Sequence, residues 1–123
     1  MSAKEIMIKF LNDGNYRYKE VKENICFKYQ LVNYVLMHNA AEELLQLVLI
    51  FYDVTDENRR EVLECANKIN QEKAMVKLTV DEDSVWINCE DIVDENYSTD
   101  KIAIMLGLME NALQEFYEGM HEE

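Results

Sequence analysis

Leu44-Leu45-Gln46-Leu47-Val48-Leu49-Ile50-Phe51-Tyr52-Asp53-Val54 is the most apolar stretch of this chain, and its reading decides the fold. Helix propensity permits a helix through Ala40 to Gln46, but Val48, Ile50, Phe51 and Tyr52 are β-branched or aromatic and favour extended backbone. The segment is therefore assigned to a strand from about Leu45. Both of its alternating faces are largely apolar, which is the pattern of a strand lying centrally in its sheet. Leu44 to Tyr52 is about half the length that a transmembrane helix requires.

Upstream, Ala3, Ile6, Met7, Phe10 and Leu11 recur at helical spacing, with Ser2 as N-cap and Asn12-Asp13-Gly14 as a stop. The period then changes to two. Tyr16 and Tyr18 alternate with charges, Ile25, Phe27, Tyr29 and Leu31 alternate with Cys26, Lys28 and Gln30, and Tyr34 to Met37 continue the extended pattern. A polar break from His38 to Glu43 leads into the central strand.

Downstream, Thr55 or Asp56 can cap an acidic-fronted helix with an apolar stripe of Val62, Cys65, Ala66 and Ile69, ending near Glu72. Ala74 to Val80 and Val85 to Glu90 alternate on either side of the turn Asp81-Glu82-Asp83-Ser84, which predicts a β-hairpin. Ser98 or Thr99 caps a last helix that carries Ile102, Met105, Met109, Ala112, Phe116 and Met120 on one side. From Thr99 to Met120 it would run roughly 33 Å, longer than a typical strand.

The order, α, three or four β, α, β, β, α (α-βββ-α-ββ-α at its shortest), is that of an α+β fold: an antiparallel sheet of about five strands with three helices packed on one face. With 123 residues, no Pro, three scattered glycines and no compositional shift, residues 1–123 are expected to form one domain.

Acidic residues number 25 against 12 Lys plus Arg, a net charge of -13, so the field repels phosphate backbones and anionic lipid headgroups. Neither nucleic acid nor membrane is expected as a partner. The N-terminal residues lack the pattern of a secretory signal. Cys26, Cys65 and Cys89 are odd in number and lie far apart, which suits reduced thiols in a cytoplasm.

Tests for chemistry return little. The glycines cannot supply a phosphate-cradling loop, and no serine sits in a nucleophile elbow. His38 and His121 read as solvated surface residues. The acidic run Asp81, Glu82, Asp83, Glu90, Asp91, Asp94 and Glu95 places Val85, Trp86 and Ile92 where a calcium loop needs an oxygen ligand, glycine and glutamate. No catalytic residue, cofactor or metal is therefore expected, and the chain reads as a non-enzyme.

The second sheet face then carries the functional expectation. Tyr29, Tyr34, Trp86 or parts of Leu44 to Tyr52, where uncovered there, would form an apolar surface of the sort that marks binding or dimerisation. Met105, Met109 and Met120 on the last helix suit an adaptable interface, and its distal turn around Phe116, Tyr117 and Met120 would overhang the sheet to meet a second subunit or partner.

Phe27-Lys28-Tyr29, the helix Glu64-Cys65-Ala66-Asn67-Lys68-Ile69-Asn70 and the hairpin from Met75 to Glu90, taken in this order of elements, resemble the YbjN-like family across nearly the whole chain. That family is similar to the type III secretion chaperone fold, and it departs here in having Asp83-Ser84 where a glycine-bearing turn is usual. The resemblance implies a small, acidic, cytoplasmic homodimer that holds an extended segment of a client against apolar patches, or a sensory regulator. The function expected is a protein-binding module acting as chaperone or adaptor on a protein or peptide partner. The alternatives are an acidic inhibitor or immunity-type partner of a basic protein, whose binding would weaken as salt rises, and a small-ligand sensory domain.

Overall fold

The computed structural model describes residues 2–121. Its first element is α1 (Ala3–Asp13), capped by the Ser2 side chain, which accepts from the Glu5 amide. Its buried face is Ala3, Ile6, Met7 and Leu11. Gly14 follows because the Tyr16 ring lies where a β-carbon would stand.

Four strands come next, β1 (Tyr18–Val21), β2 (Asn24–Tyr29), β3 (Val32–Leu36) and β4 (Leu44–Asp53), then α2 (Arg59–Glu72), β5 (Val76–Val80), β6 (Ser84–Ile92) and α3 (Asp100–His121). All strand pairings are antiparallel, in the order β1-β2-β3-β4-β6-β5. The α+β fold and its three helices are as expected. The sheet has six strands, and the expected central strand indeed lies between β3 and β6.

The sixth strand arises from turns that carry no glycine. Lys22 and Glu23 (φ 48° and 71°) reverse the chain between β1 and β2, and Gln30 and Leu31 (φ 48° and 69°) reverse it between β2 and β3. Paired positive φ values are those of a type I′ turn, whose twist matches the flanking strands. Leu31 therefore leaves the strand assigned to it and stands 88% exposed.

The pleat sorts β4 into two sets. Leu45, Leu47 and Leu49 stand opposite Asp91, Cys89 and Ile87 of β6, and the three leucines, Ile87 and Cys89 are all in the core with the helices. Between Ile50 and Tyr52 the register shifts, so Phe51 is an added residue. That bulge brings Phe51 and Tyr52 together against Phe116, with ring centroids 5.1 and 5.0 Å away.

The start of α2 is also more local than a single cap. Thr55 and Asn58 bond reciprocally, each side chain accepting from the other's amide, and the regular helix begins at Arg59. Arg59 donates to the carbonyls of Asp81 and Glu82, tying that end of α2 to the hairpin tip. At the other end Lys73 meets Glu115 at 2.9 Å, joining α2 to α3. Ser98 Oγ accepts from the Asp100 amide at the start of α3.

Two stability measurements follow from these placements. Leu31→Gly removes left-handed strain from a bulky residue at no packing cost, and should stabilise the chain by about 1 kcal/mol, a melting rise of roughly 3–6 °C. An unchanged or lower melting temperature would refute the turn assignment. Burial pushes the Tyr34 phenol from 10.0 up to about 12 and the Cys89 thiol from 9.0 up to about 11. Both groups fold neutral, so their stabilisation is complete below the unfolded pKa values and is lost as pH climbs through the folded ones. Urea midpoints should therefore fall between pH 9 and 12, and fall less steeply in Tyr34→Phe; identical slopes would contradict the burial of an ionisable phenol.

Candidate protein-binding surface

The residues of β4 that alternate with the core set face the other way. Val48 pairs with Val35 on one side and Asn88 on the other, and Ile50 pairs with Trp86. Cys26 pairs with Val35 and with Lys19. One pleat face of the sheet therefore carries Lys19, Cys26, Val35, Val48, Ile50, Trp86 and Asn88, and the three helices pack on the opposite one.

This open face is grooved. A hollow of 280 Å³ is lined by Val21, Cys26, Val35, Met37, Val48, Ile50 and Trp86, with Lys22 and Asn24 at its rim. Ile50, one of its lining residues, is 52% exposed. Val48 is buried although it belongs to this side, because its neighbours close over it. Trp86 donates its ring N–H to Ser84 Oγ at 2.7 Å. With its one polar atom satisfied locally, the indole presents hydrocarbon to the groove.

A second, shallower hollow of 490 Å³ continues from the first through the shared residues Cys26 and Val35. Arg17, Lys19 and Lys28 line it, together with Tyr18, Phe27, Asn33 and Tyr34. The open face is thus apolar over β3, β4 and β6 and cationic over β1 and β2.

The residues expected to meet a partner divide sharply. Trp86 lies on the open face. Tyr34 does not: its side chain points to the helices, stacks on Phe27 with centroids 5.7 Å apart, and donates to the Leu106 carbonyl. Pleat parity is the reason, since its neighbour Val35 takes the outward position. Met109 and Phe116 are also core residues with no exposed surface, because the apolar stripe of α3 is sunk against the sheet and α2. Met120 is half-buried at the edge of that core. Tyr117 is exposed on α3, and its hydroxyl donates to the Phe51 carbonyl.

Val48 and Ile50 fall within the stretch Leu44 to Tyr52 that is expected to contribute to this surface, and Val35 is the member that sequence reasoning does not single out. The signal was present in the two-sided apolar run of β4, but register with β3 and β6 is needed to say which of its faces stays open.

The remaining chemistry-bearing groups are dispersed. His38 is exposed, 3.5 Å from Glu23, and accepts no cysteine neighbour into the small hollow of 110 Å³ that it shares with Ser2, Lys4 and Glu42. Cys89 is buried. Tyr97 donates to Asp91, and burial, with that hydrogen bond and charge, raises its phenol. Among the described residues no cluster of three or more histidine, cysteine or carboxylate side chains is placed to hold a metal ion, and no helix is long and apolar enough to cross a membrane.

The same arrangement recurs in solved structures. YbjN from E. coli, described as "a putative transcription regulator", superposes with a TM-score of 0.72 at 10% identity, over 97% of this chain and 92% of its own. An uncharacterized protein from Methanothermobacter thermautotrophicus gives 0.70 at 12% identity, over 98% of both chains. Likenesses at such low identity speak for the fold alone. No curated protein matches the sequence. Residues 28–122 match the family YbjN, "Putative bacterial sensory transduction regulator". With that match extending from β2 through α3, the chain belongs to the YbjN family.

Proposed function

We propose that this chain is a non-enzymatic protein-binding module, a chaperone-like or regulatory adaptor that holds a segment of a partner protein on its open sheet face. The observation behind this reading is the groove over Val35, Val48, Ile50 and Trp86. Apolar side chains gathered in one concavity lose free energy when a partner removes them from water, at roughly 25 cal/mol per Å². Such a face needs no reacting group. It also agrees with the regulatory description of the family, because a regulator acts by changing which partner is held.

The distal end of α3 offers less. Tyr117 is tied to Phe51 by its hydroxyl, and Met120 is already packed against the core. The outer side of α3 does expose Ile104, which provides a control surface away from the groove.

The two surfaces are separated by capturing partners from lysate of the native host with the tagged chain and with two variants, Ile50→Asp and Ile104→Asp. Both positions are more than half exposed, so each variant should melt within about 1 kcal/mol of the parent. A stoichiometric protein retained by the parent at high salt should be lost by Ile50→Asp and kept by Ile104→Asp. The reverse pattern would move the binding surface to α3, and retention by both variants would refute a role for either.

A further inference from the structure

In a chain of net charge -13, the cationic end of the open face stands out. Between Tyr16 and Leu36 the charges are Arg17, Lys19, Lys22 and Lys28 against Glu20 and Glu23. Glu20 pairs with Lys4, and Glu23 lies against His38. Among the described residues Arg17, Lys19 and Lys28 form no ion pair. They are left unpaired in a protein with a twofold excess of carboxylates, and all three line the same hollow, which holds no acidic residue. The adjoining apolar hollow holds none either. The carboxylates that pleat parity brings to this face, Asp53 and Glu90, lie at opposite ends of the β4–β6 pair.

The geometry points to a partner of one composition: an extended protein segment that is apolar at one end and acidic at the other, lying across the strands from Trp86 to Lys19. This deepens the function proposed above and rests on it. Its apolar side chains fill the hollow over Val48 and Ile50, and its carboxylates meet Arg17, Lys19 and Lys28. From β6 to β1 the path crosses β4, β3 and β2, roughly 19 Å at the usual strand spacing, which about six extended residues span.

Other occupants fit less well. A second copy of this face would set the cations against the apolar or cationic part of its mate, and its two carboxylates, Asp53 and Glu90, stand at opposite ends of the β4–β6 pair rather than gathered to meet three cations. A nucleic acid would meet the three cations, but its backbone carries charge along its whole length and would lay phosphates over the apolar hollow, against the field of the whole chain. A basic segment would meet like charge.

Trp86 is the only tryptophan in the chain and sits in the apolar hollow, so its fluorescence reports occupancy directly. The probes are tryptophan-free peptides of about ten residues, one half Leu, Ile and Val and the other half Glu, with a matched peptide carrying Lys in place of Glu, and a single-stranded oligonucleotide of similar length. The Glu peptide should shift Trp86 emission to the blue and saturate. Its affinity should fall at least about tenfold in Lys19→Glu/Lys28→Glu and fall as salt rises, as expected of charges at a solvated rim. The Lys peptide and the oligonucleotide should bind at least about tenfold more weakly.

Equal binding of the Glu and Lys peptides, or an unchanged affinity in the double variant, would overturn the charge preference; if Ile50→Asp still abolished binding, the docking face itself would stand. Tighter binding of the oligonucleotide would replace the protein segment with a nucleic acid. Failure of every probe to perturb Trp86, in a chain that still captures its cellular partner through Ile50, would refute the acidic-apolar composition and leave the face in use.

Discussion

The antiparallel pairing of β4 with β6 is the constraint on which the other features of this molecule depend. Leu47 opposite Cys89 and Leu49 opposite Ile87 lie on one pleat face, and Val48 opposite Asn88 and Ile50 opposite Trp86 on the other. A slip of one residue would exchange the two sets. It would put Leu45, Leu47 and Leu49 in water and carry Gln46 into the core. Val48 and Ile50 would be buried in exchange, so the margin is the difference: one fewer large aliphatic side chain in the core, about 1.5–3 kcal/mol, and the added cost of burying the Gln46 amide. The groove is fixed by the same register, because the residues that line it are those the core did not take.

The bulge at Phe51 has a separate consequence. By adding one residue it brings two successive aromatic side chains, Phe51 and Tyr52, to the end of α3, where strict alternation would send one of them outward. Phe51 and Tyr52 then cluster edge-on with Phe116 and Tyr117. The last turns of α3 gain a packed end here. A helix that would otherwise overhang the sheet is instead clasped by the strand end and by the Lys73–Glu115 ion pair.

Much of this architecture was legible in the sequence, and the misreadings have definite physical causes. Ser2, the helical spacing of α1 and α3, and the alternation of β5 and β6 are local signals, and they led to the observed elements. Lys22-Glu23 and Gln30-Leu31 carry no such signal, because left-handed turn residues are inferred from Gly, Asn or Asp and these positions have none. That is why the alternation from Ile25 runs on through Leu31 in the sequence and leaves three or four strands open before α2, where the structure has four. Tyr34 belongs to the second sheet face only where it is left uncovered there, and its parity, set by Leu36 opposite Leu47, turns it to the core instead. Met109 reads as an interface residue from its flexible thioether and Phe116 from the length of α3, and only the bulge and the packing of α2 show that both are covered. The cationic hollow was hidden by the net charge, since an excess of carboxylates over the whole chain says nothing about where the cations gather.

The two sheet edges bear on which surface the fold leaves open to a partner. β5 is flanked by α2, with Asn70 bonding to both the amide and the carbonyl of Leu78. That side is therefore closed to an added strand. β1 is short, exposed along its length, and carries Lys19 and Glu20, features that discourage a second chain from pairing edge to edge. Backbone pairing at an edge recognises little about the sequence that joins it, whereas a pleated face reads size through its hollows and charge through its rim. With one edge covered and the other blunted, the open face is the surface on which selectivity can be built, and its division into apolar and cationic halves gives that selectivity a direction across the strands.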